Sequence, residues 1–382
     1  MKILHVISSL RKSAGTTTFV NGLTEALVAD GHEVTIALRA IDGTYVGECP
    51  ACAARIGTLD EILKSKEHFD VVHIHGLWEW MLIAASRWAK KKGIPVVWSP
   101  HGALAPWAMR HHWWKKAAIW YLFQKSALRC AALLHSTATK ETEWIRAKGF
   151  KQLIVEAPLG TRLPPLVGAS SSSLRNNDKF HSAATAPRYT LLFVGRIYPV
   201  KGLVNLIKAW HILHESTCYT WLKNWKLRIV GPDQADHQAE LEKLVSEFGL
   251  LDCVIFPGPK FGDDLSVEYD NCDCLVLPSF TENFGGVVID ALAHGKPVIA
   301  STFTPWRELQ EQGCGWWVSN EPEKLAGAIK EMMSLNDAAR QAMGEQGREW
   351  MHRDFDWNAI GSKMKMAYEW LIGRCDKPEW VK

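Results

Sequence analysis

Short apolar runs alternate with helix-length segments along most of the chain. Ile3 to Ile7, Glu33 to Leu38, Val71 to His75, Val96 to Ser99 and Leu133 to Ser136 are rich in Val, Ile and Leu with little polar alternation. Runs of that kind predict strands covered on both faces within a parallel sheet. Between the first two, Thr18 to Asp30 brings Phe19, Leu23, Ala26 and Leu27 onto one helical face, and Gly31 supplies a stop. Strand, crossover helix and strand in that order predict a doubly wound α/β sheet.

The rhythm breaks between Pro164 and Pro187, where Ser170 to Ser173 and Asn176-Asn177 show no period, as in a flexible loop or linker. It resumes with strands predicted at Leu191 to Gly195, Leu227 to Gly231, Val254 to Pro257, Leu275 to Pro278 and Val298 to Ser301. Helical segments such as Leu203 to Leu213 and Asp236 to Phe248 separate them. A last amphipathic segment, Trp357 to Ile372, follows the second sheet and is free to pack back on the first domain. The expected organisation is a Rossmann-like domain over 1–165, a linker over 166–187, a second Rossmann-like domain over 188–355, and a returning helix over 356–382.

Composition narrows the class. A chain of 382 residues exceeds what one core normally supports, which agrees with two domains. Hydrophobic residues at 47% and charged residues at 22% fit a globular protein. A formal charge of +3 argues against a dedicated nucleic-acid binder, which would carry a strongly basic face. Nine cysteines without a secretory signal ahead of Met1 to Ile7 suggest reduced thiols and a cytoplasmic location. No run approaches the roughly eighteen apolar residues of a membrane span. Cys49-Pro50-Ala51-Cys52 and Cys272-Asp273-Cys274 lack the second pair a structural zinc needs and read as ordinary thiols.

Two segments carry chemistry. Gly195-Arg196-Ile197-Tyr198-Pro199-Val200-Lys201-Gly202 ends a strand and opens a helix, which puts two cations at the carboxyl edge of the second sheet, where open α/β folds bind ligands. Arg offers a planar fork and Lys a compact charge, a pair suited to a diphosphate. Pro278-Ser279-Phe280-Thr281-Glu282-Asn283-Phe284-Gly285-Gly286-Val287-Val288-Ile289-Asp290 also passes from strand to helix. Gly285 and Gly286 let backbone N–H groups and the positive helix end face phosphate. Glu282 can accept hydrogen bonds from sugar hydroxyls, and Asp290 lies eight positions on.

With Ala293-His294-Gly295-Lys296-Pro297-Val298-Ile299-Ala300, the Gly-Arg-x5-Gly and Glu-x7-acid segments resemble the family 4 retaining glycosyltransferases, glycosyl transferases group 1. The likeness spans both domains and is sharpest from Leu191 to Val318. It implies a GT-B fold, two doubly wound Rossmann-like domains facing across a cleft, with the C-terminal helix packed back on the first. It further implies that Gly195, Asn283, Phe284, Gly285, Gly286, Val287 and Asp290 bind a nucleoside diphosphate sugar. Arg196 and Lys201 would then sit on the diphosphate, Glu282 near the sugar, and the acid at 290 on the ribose. The family usually has Glu at that last position, and Asp290 is one methylene shorter.

In the first domain, Ser13-Ala14-Gly15-Thr16-Thr17-Thr18 occupies the first βα turn, where such proteins carry a glycine pair and this chain keeps Gly15 alone. Pro100-His101-Gly102 follows a strand, and a His at this position in similar proteins faces the donor across the cleft. His73 and His75 alternate on a strand; with no third ligand evident they read as lining the cleft. The chain holds 19 Trp, several of them among cations in the segment from Trp107 to Lys125. Two readings of that segment are open: a basic aromatic surface at an anionic membrane, or a helix in the core of the first domain.

The function expected from these features is retaining transfer of a sugar from a nucleoside diphosphate donor to a glycan or lipid-linked acceptor, without a metal or other cofactor. No nucleic-acid partner is expected. The alternative is a catalytically weak sugar-nucleotide-binding or regulatory subunit of the same fold. A nicotinamide oxidoreductase is disfavoured, because no Gly-x-Gly-x-x-Gly turn follows the first strand.

Overall fold

The computed structural model describes residues 1–11, 15–52, 54–110, 113–164, 188–216 and 223–382. The linker expected over 166–187 therefore lies outside the described residues. Two units form: Met1–Gly160 together with Phe355–Lys382, and Thr161–Asp354.

The first unit is built on β1 (Lys2–Val6), β2 (Glu33–Leu38), β3 (Arg55–Thr58), β4 (Val71–His75), β5 (Val96–Ser99), β6 (Leu133–Ser136) and β7 (Ile154–Glu156). They pair in the order β3-β2-β1-β4-β5-β6-β7, all parallel. Strand order reverses between β1 and β4. Because neighbouring residues face opposite ways, each central strand feeds two cores. Leu4, Val72, Ile74, Val96, Trp98 and Leu134 belong to one. Ile3, Val71, Val97, Leu133 and Val155 belong to the other, beneath the helices Gly15–Ala29 and Trp357–Leu371.

The helix Trp357–Leu371 starts at the N-cap Asp356, whose side chain accepts from the Asn358 N–H at 2.7 Å. Its Trp357 ring fills a notch that exists only because two residues lack a Cβ. A Cβ on Gly22 would stand 2.1 Å from the ring, and one on Gly160 2.5 Å. One turn on, Gly361 meets Ala26 equally closely. The chain then closes on β7, where Ile154 and Lys382 exchange backbone hydrogen bonds of 2.7 and 3.0 Å.

The second unit contains β8 (Tyr189–Val194), β9 (Trp225–Val230), β10 (Val254–Gly258), β11 (Cys274–Leu277), β12 (Val298–Ser301) and β13 (Gly315–Val318). Their order is β10-β9-β8-β11-β12-β13, again parallel, and the switch point falls between β8 and β11. Strands β3, β7 and β13 lie beyond those the apolar runs predict. Among the described residues, no helix is long and apolar enough to cross a membrane.

Candidate functional site

In an open α/β sheet the loops leaving the two strands at a switch point diverge, and the crevice between them receives the ligand. In the second unit those are the loops after β8 and β11. The first leaves through Gly195 at φ 153° and packs on β9 so tightly that a Cβ on Gly231 would stand 1.8 Å from the Gly195 carbonyl oxygen. It then makes a short 3₁₀ turn, Pro199–Lys201, capped by Gly202 at φ 71°. A Cβ on Gly202 would lie 2.1 Å from the Pro278 carbonyl oxygen, so glycine is what allows the two loops to touch. The Phe280 N–H donating to the Val200 carbonyl at 2.9 Å ties them together.

That junction delivers Lys201 to Glu282. The Lys201 ammonium donates to Glu282 Oε1, and the Ser279 hydroxyl donates to the same oxygen at 2.9 Å. The two charged side chains keep only 16% and 13% of their surface exposed. The supporting loop is itself held: Ser301 Oγ donates to the Ser279 carbonyl at 2.5 Å, and Asn320 Nδ2 to the Pro278 carbonyl at 3.2 Å. Arg196 is not part of this contact. Its exposed guanidinium turns to Gln234 Oε1 at 2.7 Å.

Beyond Glu282 the chain passes Asn283 and Phe284 and enters the helix Gly286–Ala293 through Gly285, at φ 80°. Trp306 Nε1 donates to the Phe284 carbonyl at 2.6 Å while the two rings meet edge to face, and this pins the helix entrance. The first N–H groups of a helix have no partner inside it, so the entrance at Gly286-Val287 is a site of positive potential. Asp290 stands on this helix, and burial pushes its carboxyl up to about 7. It is not the solvated face residue that an isolated helical Asp suggests. Asn320 and Trp306 are absent from the local motifs, since each acts on a loop brought up by a different strand, while Ser279 stands inside the motif with no role assigned from the sequence.

In the first unit, His101 follows β5 in a left-handed conformation, φ 51°, with Gly102 beside it at 74°. The buried Glu141 carboxylate holds this turn by accepting from the Gly102 N–H at 2.5 Å and from the N–H and hydroxyl of Thr137, each at 2.9 Å. Burial pushes His101 down to about 3, so the ring is neutral at ordinary pH. Gly15 opens the helix Gly15–Ala29 at an exposed position with open space around it; Ser13 and Ala14 lie outside the described residues.

His73 and His75 do not line an open face. Both are buried beneath Phe19 and Tyr368, and β1 brings a third imidazole, His5, against them. The third imidazole, which the sequence hides, is therefore supplied by strand pairing, with His5 beside His73 in the register. Cys49 is a free thiol, as are the buried Cys272 and Cys274.

The segment Trp107 to Lys125 divides between its two readings. Helical from Trp113 through a π turn at Trp120–Gln124 to Arg129, it buries Trp120 and Gln124. It exposes Trp113 by 67%, Trp114 by 60%, Tyr121 by 76% and Leu122 by 67%. His111 and His112 lie outside the described residues.

Two doubly wound parallel units, one with a cation, a carboxylate and a glycine-opened helix at its switch point, define a GT-B glycosyltransferase that uses a nucleotide sugar. The family models agree along the chain: residues 14–160 match the glycosyl transferase 4-like domain, and residues 175–350 match glycosyl transferases group 1. The chain belongs to family 4 of the glycosyltransferases. It is 27% identical to a D-inositol 3-phosphate glycosyltransferase of Salinispora tropica, over 93% of this chain and 78% of that one. With a glycogen synthase of Mycobacterium tuberculosis the identity is 25%, over 93% and 90%. Among solved structures, Anabaena HepE in complex with UDP-glucose superposes with a TM-score of 0.72 at 18% identity, over 96% of this chain and 99% of that one.

Proposed function

We propose that the chain transfers a sugar, with retention of configuration, from a nucleoside diphosphate sugar to a hydroxyl of a glycan or lipid-linked acceptor in surface polysaccharide synthesis. The observation that carries this reading is the Lys201–Glu282 pair, set beside a helix entrance at the switch point. An ammonium neutralised by a carboxylate, next to the N–H groups of a helix's first turn, is a diphosphate cradle whose charge is compensated until the donor arrives.

In the proposed reaction the acceptor hydroxyl attacks the anomeric carbon on the face from which the diphosphate departs, and its proton passes to a donor phosphate oxygen. Lys201, Arg196 and the N–H groups at Gly285 and Gly286 take up the charge that develops on the leaving diphosphate. These groups do the work a metal ion does elsewhere, so turnover needs none. Glu282 accepts from the sugar hydroxyls, Asp290 from the ribose, and His101 and Gly15 contribute from the first unit. UDP is the first base to test, because HepE was solved with UDP-glucose. The exposed Trp113, Trp114, Tyr121 and Leu122, with Lys115 and Lys125 among them, suit an anionic inner membrane surface on which a lipid-linked acceptor would lie.

Thermal stabilisation by UDP, GDP and ADP in EDTA, on wild type and Lys201→Ala, tests the donor site. A shift with one nucleotide that the variant loses is expected; no shift with any of them removes the site. Turnover lost in EDTA and restored by Mg or Mn ions would overturn the metal-independent mechanism.

A further inference from the structure

On the sheet face covered by Gly15–Ala29 and Trp357–Leu371, the first unit changes character along its strands. Ile3, Val71, Val97 and Leu133 are followed, two residues later on the same face, by His5, His73, Ser99 and His135. His75 and His101 continue the layer to the carboxyl edge. Burial holds all five imidazoles neutral: His5 and His101 are pushed down to about 3, His135 to about 4, and His73 and His75 well below the ordinary value. A neutral imidazole donates from one nitrogen and accepts at the other. Every hydrogen bond in the layer therefore has a direction.

One string is fixed at its end. The Ala157 carbonyl only accepts, so His135 donates to it from Nε2 at 2.8 Å and accepts at Nδ1. Ser99 must give its single proton to that Nδ1, at 2.7 Å, and accept from His73 Nε2 at 2.6 Å. His73 Nδ1 then accepts from the Tyr368 hydroxyl at 2.6 Å. Every proton in this string is placed.

The other string is not fixed in this way. His5 Nδ1 meets His75 Nε2 at 2.8 Å, and His75 Nδ1 meets His101 Nε2 at 3.0 Å. At the far end His5 Nε2 is buried without a partner among the described residues, and at the near end His101 is half-buried. Pointing all protons inward would orphan a buried N–H at His5; pointing them outward leaves a bare lone pair there and places the N–H at His101 Nδ1. Buried orphan donors are the rarer of the two in folded proteins.

We propose that His5 and His75 are positioning residues that hold His101 in its Nδ1–H tautomer, so that it presents a donor to an oxygen of the bound substrate. The clause about substrate rests on the role proposed for His101 above. His5, His73 and His75 also offer nitrogen atoms within 4.8 Å of one another, close enough for a metal ion. Both nitrogens of His73 are already engaged, so the hydrogen-bonded strings account for the cluster on their own.

Long-range proton–nitrogen correlation spectra of the full chain, labelled with nitrogen-15 histidine, read each tautomer directly. His73 and His135 are expected as Nε2–H, and His5, His75 and His101 as Nδ1–H. His75→Leu should turn His101 into a tautomer mixture and weaken the nucleoside diphosphate selected by thermal shift about tenfold. His75→Asn keeps an amide N–H where Nδ1–H stood; it should restore the tautomer and bring affinity back to within about threefold of wild type. His5→Phe, which leaves His75 in place, should give the same mixture as His75→Leu. His101 found as Nε2–H in wild type, a His101 tautomer unmoved in His75→Leu and His5→Phe, or nitrogen shifts of metal-bound imidazole with metal present by elemental analysis would each overturn the proposal. A His101 tautomer that follows His75 while the nucleotide leaves its Nδ1–H signal unmoved keeps the positioning role and removes the donor contact.

Discussion

Lys201 and Glu282 are separated by 81 residues, yet the ammonium of one donates to the carboxylate of the other where the loops after β8 and β11 meet. Neither charge is fully hydrated, so each depends on its partner, on Ser279 and on what binds beside them.

Removing one member of a largely buried pair costs more than removing both, because a single deletion leaves a charge without compensation. Lys201→Met should lower stability by about 1–3 kcal/mol, below the full cost of a completely buried pair because some exposure remains. Lys201→Met combined with Glu282→Gln should recover most of that loss. Urea midpoints measure both, and nucleoside diphosphate stabilisation should be absent in the single and the double variant alike. A double variant no more stable than the single one would show that the pair does not compensate itself.

Asp290 links stability to pH in the opposite sense from a salt-bridged acid. Its carboxyl titrates near 3.8 when unfolded and is pushed up to about 7 by burial in the native state. Between those values the native state holds a proton that the unfolded chain has released, so stability falls as pH rises, and the loss is complete above about 7. Asp290→Asn should therefore melt above wild type at pH 8 and converge with it near pH 4, by about 2–4 °C for each kcal/mol recovered. The same variant should weaken nucleoside diphosphate binding, since an amide replaces the acceptor offered to the ribose. A melting difference constant from pH 4 to pH 8 would show that the burial penalty does not act at Asp290.

The strands legible in the sequence are those buried on both faces, because an unbroken apolar run leaves no other packing solution. Strands β3, β7 and β13 escaped that criterion for separate reasons. Arg55-Ile56-Gly57-Thr58 is a polar edge, Ile154–Glu156 has three residues, and Gly315–Val318 is an edge built around two Trp. Lys201 and Glu282 are each marked by a local motif, but their hydrogen bond is a property of strand order, which no local motif contains. The imidazole layer is the extreme case. His5, His101 and His135 look like isolated residues until β1, β4, β5 and β6 set them side by side.

The exposed aromatic surface predicts membrane contact with a definite salt response. Wild type should sediment with vesicles of phosphatidylethanolamine and phosphatidylglycerol at low ionic strength and dissociate as salt rises, because lysines interleave with the rings. Trp113→Ala with Trp114→Ala removes the two largest exposed rings of the helix without touching the buried Trp120, so vesicle binding should fall while the melting temperature holds. Absence of binding by wild type at any salt concentration would remove the membrane reading.

Trp357 carries the attachment of the returning helix, and its environment states the size of the effect in advance. The ring sits over Gly22 and Gly160 and meets Phe19 edge to face at 5.9 Å, so no neighbouring side chain can collapse into the space it leaves. Trp357→Ala should cost about 3–5 kcal/mol, the range for aromatic truncation in a core that relaxes little. Gly22→Ala attacks the same contact from the opposite side, since its Cβ would fall 2.1 Å from the ring. Combining the two tells displacement from simple loss of volume. If Gly22→Ala destabilises only by pushing the ring out, the added methyl should cost little once Trp357 is already Ala, and the double variant should match Trp357→Ala alone. Urea denaturation of the three variants supplies the comparison, and additive losses would mean that Gly22 is required for the helix Gly15–Ala29 itself and not for the seat of Trp357.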